Sequence, residues 1–293
     1  MTLADSRIDR YRTRTAVAVP PVERPDPTVW GTVSAPVLEN FDADGYAIID
    51  ELLTPMEVAD VAAEVDRLAA DPALHSDERV IIEKTSNRVR SIFEVHEISA
   101  LVAELVRDDR IVGLARQVLG SEVYIHQSRV NYMPGFAGAG FYWHSDFETW
   151  HAEDGMPSPR AVSLSIALTE NYPFNGSLML LPGSHRRFMP CQGDTPDEYY
   201  RESLREQWIG VPEQEDLANL AQKYGIAQFT GDRGSALLFD SNIMHGSSNN
   251  ITPFPRSNIF LVFNSVENTL VQPYAGTLPR PTYIASRDFT PLR

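Results

Sequence analysis

The segment FYWHSDFETWH, residues 141–151, concentrates groups able to hold a metal. His144 and Asp146 are one residue apart, so in an extended strand both side chains point to one side and Ser145 to the other. A third donor must come from elsewhere. FDSNIMHGSS (239–248) offers His245, in a Gly/Ser-rich loop after an apolar strand. Two imidazoles and one carboxylate leave several coordination positions open, a donor set suited to oxidative chemistry at a mononuclear iron. An HxD pair alone also arises by chance on surface strands. Arg256, eleven residues after His245 in TPFPRSNIF, adds an independent signal. An arginine opening a strand can reach into a barrel and take a carboxylate through paired charged hydrogen bonds. His126, in an apolar strand, reads as a core or wall residue, and His185, after a Pro-Gly turn, as structural.

The elements that must position these groups are legible as patterns. GYAIID (45–50) reads as a strand. Thr54-Pro55-Met56-Glu57 reads as a helix start, with a capping threonine, proline at the first helical position and glutamate three residues after the cap. MEVADVAAEVDRLAA continues it with helical apolar spacing, and a second helical region spans about 97–118. After Ser121 the texture changes to short runs rich in β-branched and aromatic residues: 123–133, 141–147, 161–169, 177–184, 234–240 and 258–265. Helical segments interrupt near 196–207 and 213–224. Helices first and many strands after imply a mainly β sandwich or barrel with flanking helices. Residues 1–35 are polar, then proline-rich, and read as a partly flexible N-terminal arm; residues 36–293 read as one domain.

Composition bounds the function. Of 293 residues, 40 are Asp or Glu and 25 are Lys or Arg, a formal charge of −15. That excess disfavours nucleic acid or an anionic membrane as partner, since both demand basic patches. No apolar run reaches the roughly 20 residues of a membrane helix. Cys191 is the one cysteine, so an intrachain disulfide is impossible, and a reducing cytoplasm is the expected setting.

The order HxD, about 99 residues, His and then Arg256 is far more specific than its parts, and it resembles the Fe(II)/2-oxoglutarate-dependent dioxygenases. The runs FYWHSDFETWHAEDGMP and RAVSLSIALTENYPFNGSLMLLPGSHR are similar to the phytanoyl-CoA hydroxylase superfamily. Within it they look most like its ectoine-hydroxylating branch. QSRVNYMPGF, the stretch 228–268 and RPTYIASRDF extend the likeness. The resemblance implies a double-stranded β-helix (jelly roll, cupin-like). It implies Fe(II) on His144, Asp146 and His245. It places 2-oxoglutarate against Arg256 and Ser247, with Asn131, Phe141 and position 133 beside it. Position 133 is often lysine in that family; here it is Met133, which removes one positive charge and leaves Arg256 as the main anchor. For ectoine, a zwitterionic cyclic amidine, the resemblance implies Gln127 and Trp150, with Phe260 and Phe239 as further walls. Taken apart from it, Phe239 and Phe260 read as ordinary core, and Glu148 and Thr149 as solvated or bracing loop residues. The implied reaction consumes O2 and 2-oxoglutarate and yields 5-hydroxyectoine, succinate and CO2, in a homodimer. Two other readings stay open: a hydroxylase of another small amino or imino acid, and a non-catalytic metal-binding jelly roll.

Overall fold

The computed structural model describes Tyr11 and residues 17–19, 34–83, 88–191 and 193–293. In chain order the strands and helices are β1 (Val17–Ala18), α1 (Ala35–Asp44), β2 (Tyr46–Ile49), α2 (Pro55–Ala70), β3 (Val80–Ile82), β4 (Val89–Phe93), α3 (Val95–Ile98), α4 (Ala100–Leu105) and α5 (Asp109–Leu119). The strand-rich half follows: β5 (Val123–Met133), β6 (Phe141–His144), α6 (Asp146–Thr149), β7 (Ala161–Ala167), β8 (Leu178–Leu180), β9 (Arg187–Phe188), α7 (Tyr200–Ser203), α8 (Gln214–Tyr224), β10 (Ala227–Gln228), β11 (Ala236–Asp240), β12 (His245–Ser247) and β13 (Arg256–Ser265).

A seven-stranded sheet in the order β2-β11-β7-β13-β5-β4-β3 faces a four-stranded sheet in the order β10-β8-β12-β6. All pairings are antiparallel. This is the jelly roll expected from the sequence. Strand β13 is its spine, paired along its length with β5 on one side and β7 on the other. Its alternation sorts the core. Ile259, Leu261 and Phe263 join the helices in the main apolar cluster, with Val61, Val65, Ile111, Ala115 and Val118. Phe260 points the other way, between the sheets, with Leu178, Leu180 and Phe239. The helices thus cover the outer face of the large sheet, and the inner face is free to build a site.

Helix α2 starts where its sequence says. Thr54 Oγ1 accepts from Glu57 N (3.3 Å), and Glu57 Oε2 accepts from Thr54 N (2.7 Å), a closed capping box after which Pro55 opens the helix. The expected helix at 97–118 is instead three pieces. Ser99 Oγ accepts from Val102 N (3.4 Å) and Asp108 Oδ1 from Arg110 N (2.8 Å), so each polar side chain caps a new helix rather than continuing the old one. The helical reading at 196–207 contracts to α7. Strands β3 and β4, which extend the edge of the large sheet, were not expected. Of the expected arm, Tyr11 is buried against Phe147 and Phe188, and β1 pairs with β9; most of the rest lies outside the described residues. Among the described residues no helix is long and apolar enough to cross a membrane.

Candidate metal and cosubstrate site

The strand expected at 141–147 ends at His144. Ser145 Oγ accepts from Glu148 N (3.4 Å) and caps the short helix α6, so Asp146 is a first-turn helical residue and not a strand neighbour of His144. The two side chains meet nonetheless. His144 Nε2 lies 3.7 Å from Asp146 Oδ1. His245 is directly opposite His144 across the β6–β12 ladder, and its Nε2 is 3.9 Å from the same oxygen. His245 therefore belongs to a strand, not to the loop its Gly/Ser-rich surroundings suggested. Among the described residues these three form the cluster whose ligand atoms all lie within 4.8 Å of one another, and all three are buried.

Each imidazole is fixed by a main-chain carbonyl. His144 Nδ1 donates to Tyr142 O (2.7 Å) and His245 Nδ1 to Ile243 O (3.1 Å). A carbonyl only accepts, so both protons sit on Nδ1 and both Nε2 lone pairs point at the centre. Burial, aided by the His245 charge, pushes His144 down to about 4, so it is neutral and able to ligate at neutral pH. For Asp146, burial alone would raise the pKa. Electrostatic interaction with the nearby His245, His144 and Arg129 outweighs it and holds the carboxyl below its ordinary value. Ser163 Oγ donates to Asp146 Oδ2 (3.4 Å) from β7. A neutral His144 beside an ionised Asp146 is the pairing of protonation states a divalent metal requires.

The triad opens onto a cleft between the sheets. Arg256 lies in it, 6% exposed, at the first residue of β13. Its Nε and Nη1 are buried without a hydrogen-bond partner among the described residues. Its Nη2 reaches only the Met133 sulfur (3.8 Å), across the β13–β5 ladder. Burial, with the charge of Arg90, pushes its pKa down to about 10. A buried guanidinium without an acid costs stability unless an anion arrives. Ser247, Phe141, Asn131 and Met133 line the same cleft. Ser247 Oγ accepts from Phe141 N (3.1 Å), and Asn131 Oδ1 accepts from Ser91 Oγ (2.8 Å).

Gln127, Trp150 and Phe260 also line the cleft. Gln127 Nε2 donates to Ile284 O (2.7 Å), and its Oε1 accepts from Arg129. The Arg129 guanidinium lies 4.9 Å from the Phe260 ring centroid. Trp150 begins a single π-helical turn, Trp150–Asp154, and meets His126 edge-on at 4.9 Å. His126 is thus a core residue, fully buried behind Trp150 and outside the cleft lining. Gly155 closes the turn at φ 81, where a Cβ would run into the Val271 carbonyl, so this wall needs glycine at its end. Phe239 is not brought in. It lies between the sheets, 5.2 Å from the His245 ring, outside the cleft lining. Glu148 is buried rather than solvated, and burial, with Glu153 nearby, pushes its pKa up to about 8. Thr149 lines the cleft and accepts from Gln207 Nε2 (3.2 Å).

The polar groups of the lining that sequence reasoning missed include Arg90, Arg129, Gln207 and Arg280. Arg129 carried a signal, because it alternates with Gln127 and Asn131 along β5 and so shares their face. Arg280 grips Asp154 through two hydrogen bonds of 2.7 and 2.5 Å, a contact across 126 residues that no local pattern announces.

An inner-face triad of two histidines and one carboxylate on a jelly roll defines the class of non-haem iron dioxygenases. Residues 41–258 match the family model "Phytanoyl-CoA dioxygenase (PhyH)", and the chain belongs to that family. It is 74% identical over 286 residues to the ectoine dioxygenase of Nocardia farcinica, covering 98% of this chain and 96% of the relative. The crystal structure of EctD from S. alaskensis with 2-oxoglutarate and 5-hydroxyectoine superposes with a TM-score of 0.81 at 46% identity over 95% of each chain. The same protein with bound Fe gives 0.82 at 44% identity over 97% of each chain.

Proposed function

We propose that this chain hydroxylates ectoine to 5-hydroxyectoine, using Fe(II), O2 and 2-oxoglutarate and releasing succinate and CO2. One observation carries the reading. A buried His144–Asp146–His245 cluster shares a cleft with a buried arginine, Arg256, that has no acid partner among the described residues. The high identity to named ectoine dioxygenases supports the substrate.

The three side chains hold the metal, and the carbonyl-anchored imidazoles keep its ligand geometry before it binds. Bound there, Fe(II) supplies the O2 activation that couples decarboxylation of 2-oxoglutarate to insertion of one oxygen atom into a ring C–H. The protein's share is binding, orientation and exclusion of water. Arg256 takes the distal carboxylate of 2-oxoglutarate through its uncommitted Nε and Nη1, with Ser247 and Asn131 beside it and Phe141 as an apolar flank. Gln127 presents an amide to the substrate. Trp150 and Phe260 offer aromatic faces to its delocalised cation, and Arg129 and Arg280 bring positive charge to its carboxylate. Phe239 supports His245 from behind. The reading extends to a cytoplasmic homodimer with no nucleic acid or membrane partner.

The test is aerobic incubation with Fe(II), 2-oxoglutarate and ectoine, each omitted in turn, with mass spectrometry of the product. A product heavier by one oxygen, formed with succinate and only in the complete mixture, is expected. Consumption of 2-oxoglutarate with ectoine unchanged would remove the substrate assignment. No consumption by metal-loaded protein would favour a non-catalytic jelly roll.

A further inference from the structure

The cosubstrate end of the cleft holds a second cation that the mechanism above leaves unused. Arg90 stands on β4, beside Ser91, whose hydroxyl bonds Asn131. Its side chain is 9% exposed and lines the same cleft as Arg256 and Phe141. Its guanidinium carbon lies 5.5 Å from the Phe141 ring centroid. Among the described residues its hydrogen bonds both leave from Nη1, to Glu83 Oε2 (2.8 Å) and to Ala139 O (3.5 Å).

The charges at this end do not balance. Glu83 neutralises Arg90, but among the described residues no carboxylate pairs with Arg256. Arg90 is close enough for its charge to disfavour the charged form of Arg256. The residue directly across the ladder from Arg256 is Met133, whose sulfur is only a weak acceptor and brings no charge. Two arginines and one acid thus leave this end positive by one charge. A buried like-charge pair is unfavourable in the empty protein and favourable once a carboxylate lies between the pair and the triad.

We propose that Arg90 is a second cosubstrate-recognition residue, which with Arg256 selects a C5 dicarboxylate over 2-oxo acids that carry a single carboxylate. Arg256 supplies the directional paired bonds and Arg90 the additional charge. The inference rests on the reading of the Arg256 end as the seat of the distal carboxylate.

The experiment compares Arg90→Gln, Arg90→Lys and the double variant Arg90→Gln/Met133→Lys with the full-length, iron-loaded protein. It measures KM for 2-oxoglutarate, KM for ectoine, and anaerobic 2-oxoglutarate affinity from the absorption of the Fe(II) complex. Arg90→Gln should raise the 2-oxoglutarate constants about tenfold, equivalent to about 1.4 kcal/mol, and leave the ectoine KM within about twofold. Arg90→Lys should recover most of the loss. Lysine at position 133 should also recover it, because that side chain already reaches the Arg256 guanidinium. A purely structural role for Arg90 predicts otherwise: both KM values shift together and an ammonium at position 133 rescues nothing. That result would overturn the proposal, as would an unchanged 2-oxoglutarate KM in Arg90→Gln. If the wild-type protein itself failed to bind 2-oxoglutarate, the reading of the Arg256 end would fall first, and this inference with it.

Discussion

Arg256→Met separates two effects that usually move together. The substitution removes the charge, keeps an extended side chain and leaves β13 its first residue. In the empty protein Arg256 is a cost. Its pKa falls from the ordinary guanidinium value to about 10, mainly through burial, which corresponds to about 3 kcal/mol at 1.36 kcal/mol per pH unit. Part of that gain is lost to imperfect packing of the methionine, so the iron-free, cosubstrate-free variant should be more stable than wild type by about 1–2 kcal/mol. Cosubstrate binding should move the opposite way. Removing one partner of a buried, hydrogen-bonded charge pair costs about 2–5 kcal/mol, so the 2-oxoglutarate KM should rise at least about thirtyfold, with the ectoine KM little changed. The assays are denaturant unfolding without ligands and initial rates against 2-oxoglutarate at saturating ectoine. A variant less stable than wild type, with an unchanged 2-oxoglutarate KM, would refute the reasoning and make Arg256 a structural residue.

Other consequences can be checked one by one. Asp146→Ala should abolish hydroxylation and weaken iron loading, measured by metal analysis; full activity with bound iron would remove Asp146 from the triad. Trp150→Ala should weaken ectoine binding with near-normal iron content, whereas loss of iron would make Trp150 structural. Thr54→Ala opens the capping box of α2 and should cost about 1 kcal/mol in denaturant unfolding, with kcat unchanged. His185 is depressed to about 4 by burial, with Arg186 adding to it. The unfolded chain therefore binds the extra proton first, and stability is full above the unfolded value near 6.5 and falls as pH drops towards about 4. His185→Gln should flatten that slope in unfolding curves taken across the window; an unaltered slope would place the acid sensitivity elsewhere.

Local signals were legible in the sequence where the deciding interactions are local. The Thr54-Pro55-Glu57 cap and the bounds of β5 follow from residues within a turn or a strand of each other. The triad was legible too, although its geometry arises by a different route: Asp146 reaches His144 from a helix that Ser145 starts, not along a strand. The breaks at Ser99 and Asp108 were hidden because apolar spacing continues across them, and a capping side chain competes with the helix only at short range. The polar lining was least legible. Arg90 and Arg280 enter the cleft from the strand next to the edge of the large sheet and from the C-terminal segment, and their partners are known only once the chain has folded. Phe239 shows the converse error, since an aromatic near a ligand histidine can brace it without facing the cleft.

The main-chain anchoring of His144 and His245 reaches beyond catalysis. Both ring orientations are set by carbonyls two residues back, Tyr142 on β6 and Ile243 in the turn that leads into β12, and the two histidines face each other across a ladder already paired. The metal therefore completes the centre without being needed to build it, unlike small domains that unfold when stripped. A chelator should empty the site and leave the fold standing. In a cell short of iron such a protein would persist as a dormant reserve, and its activity would return with the metal rather than with new synthesis.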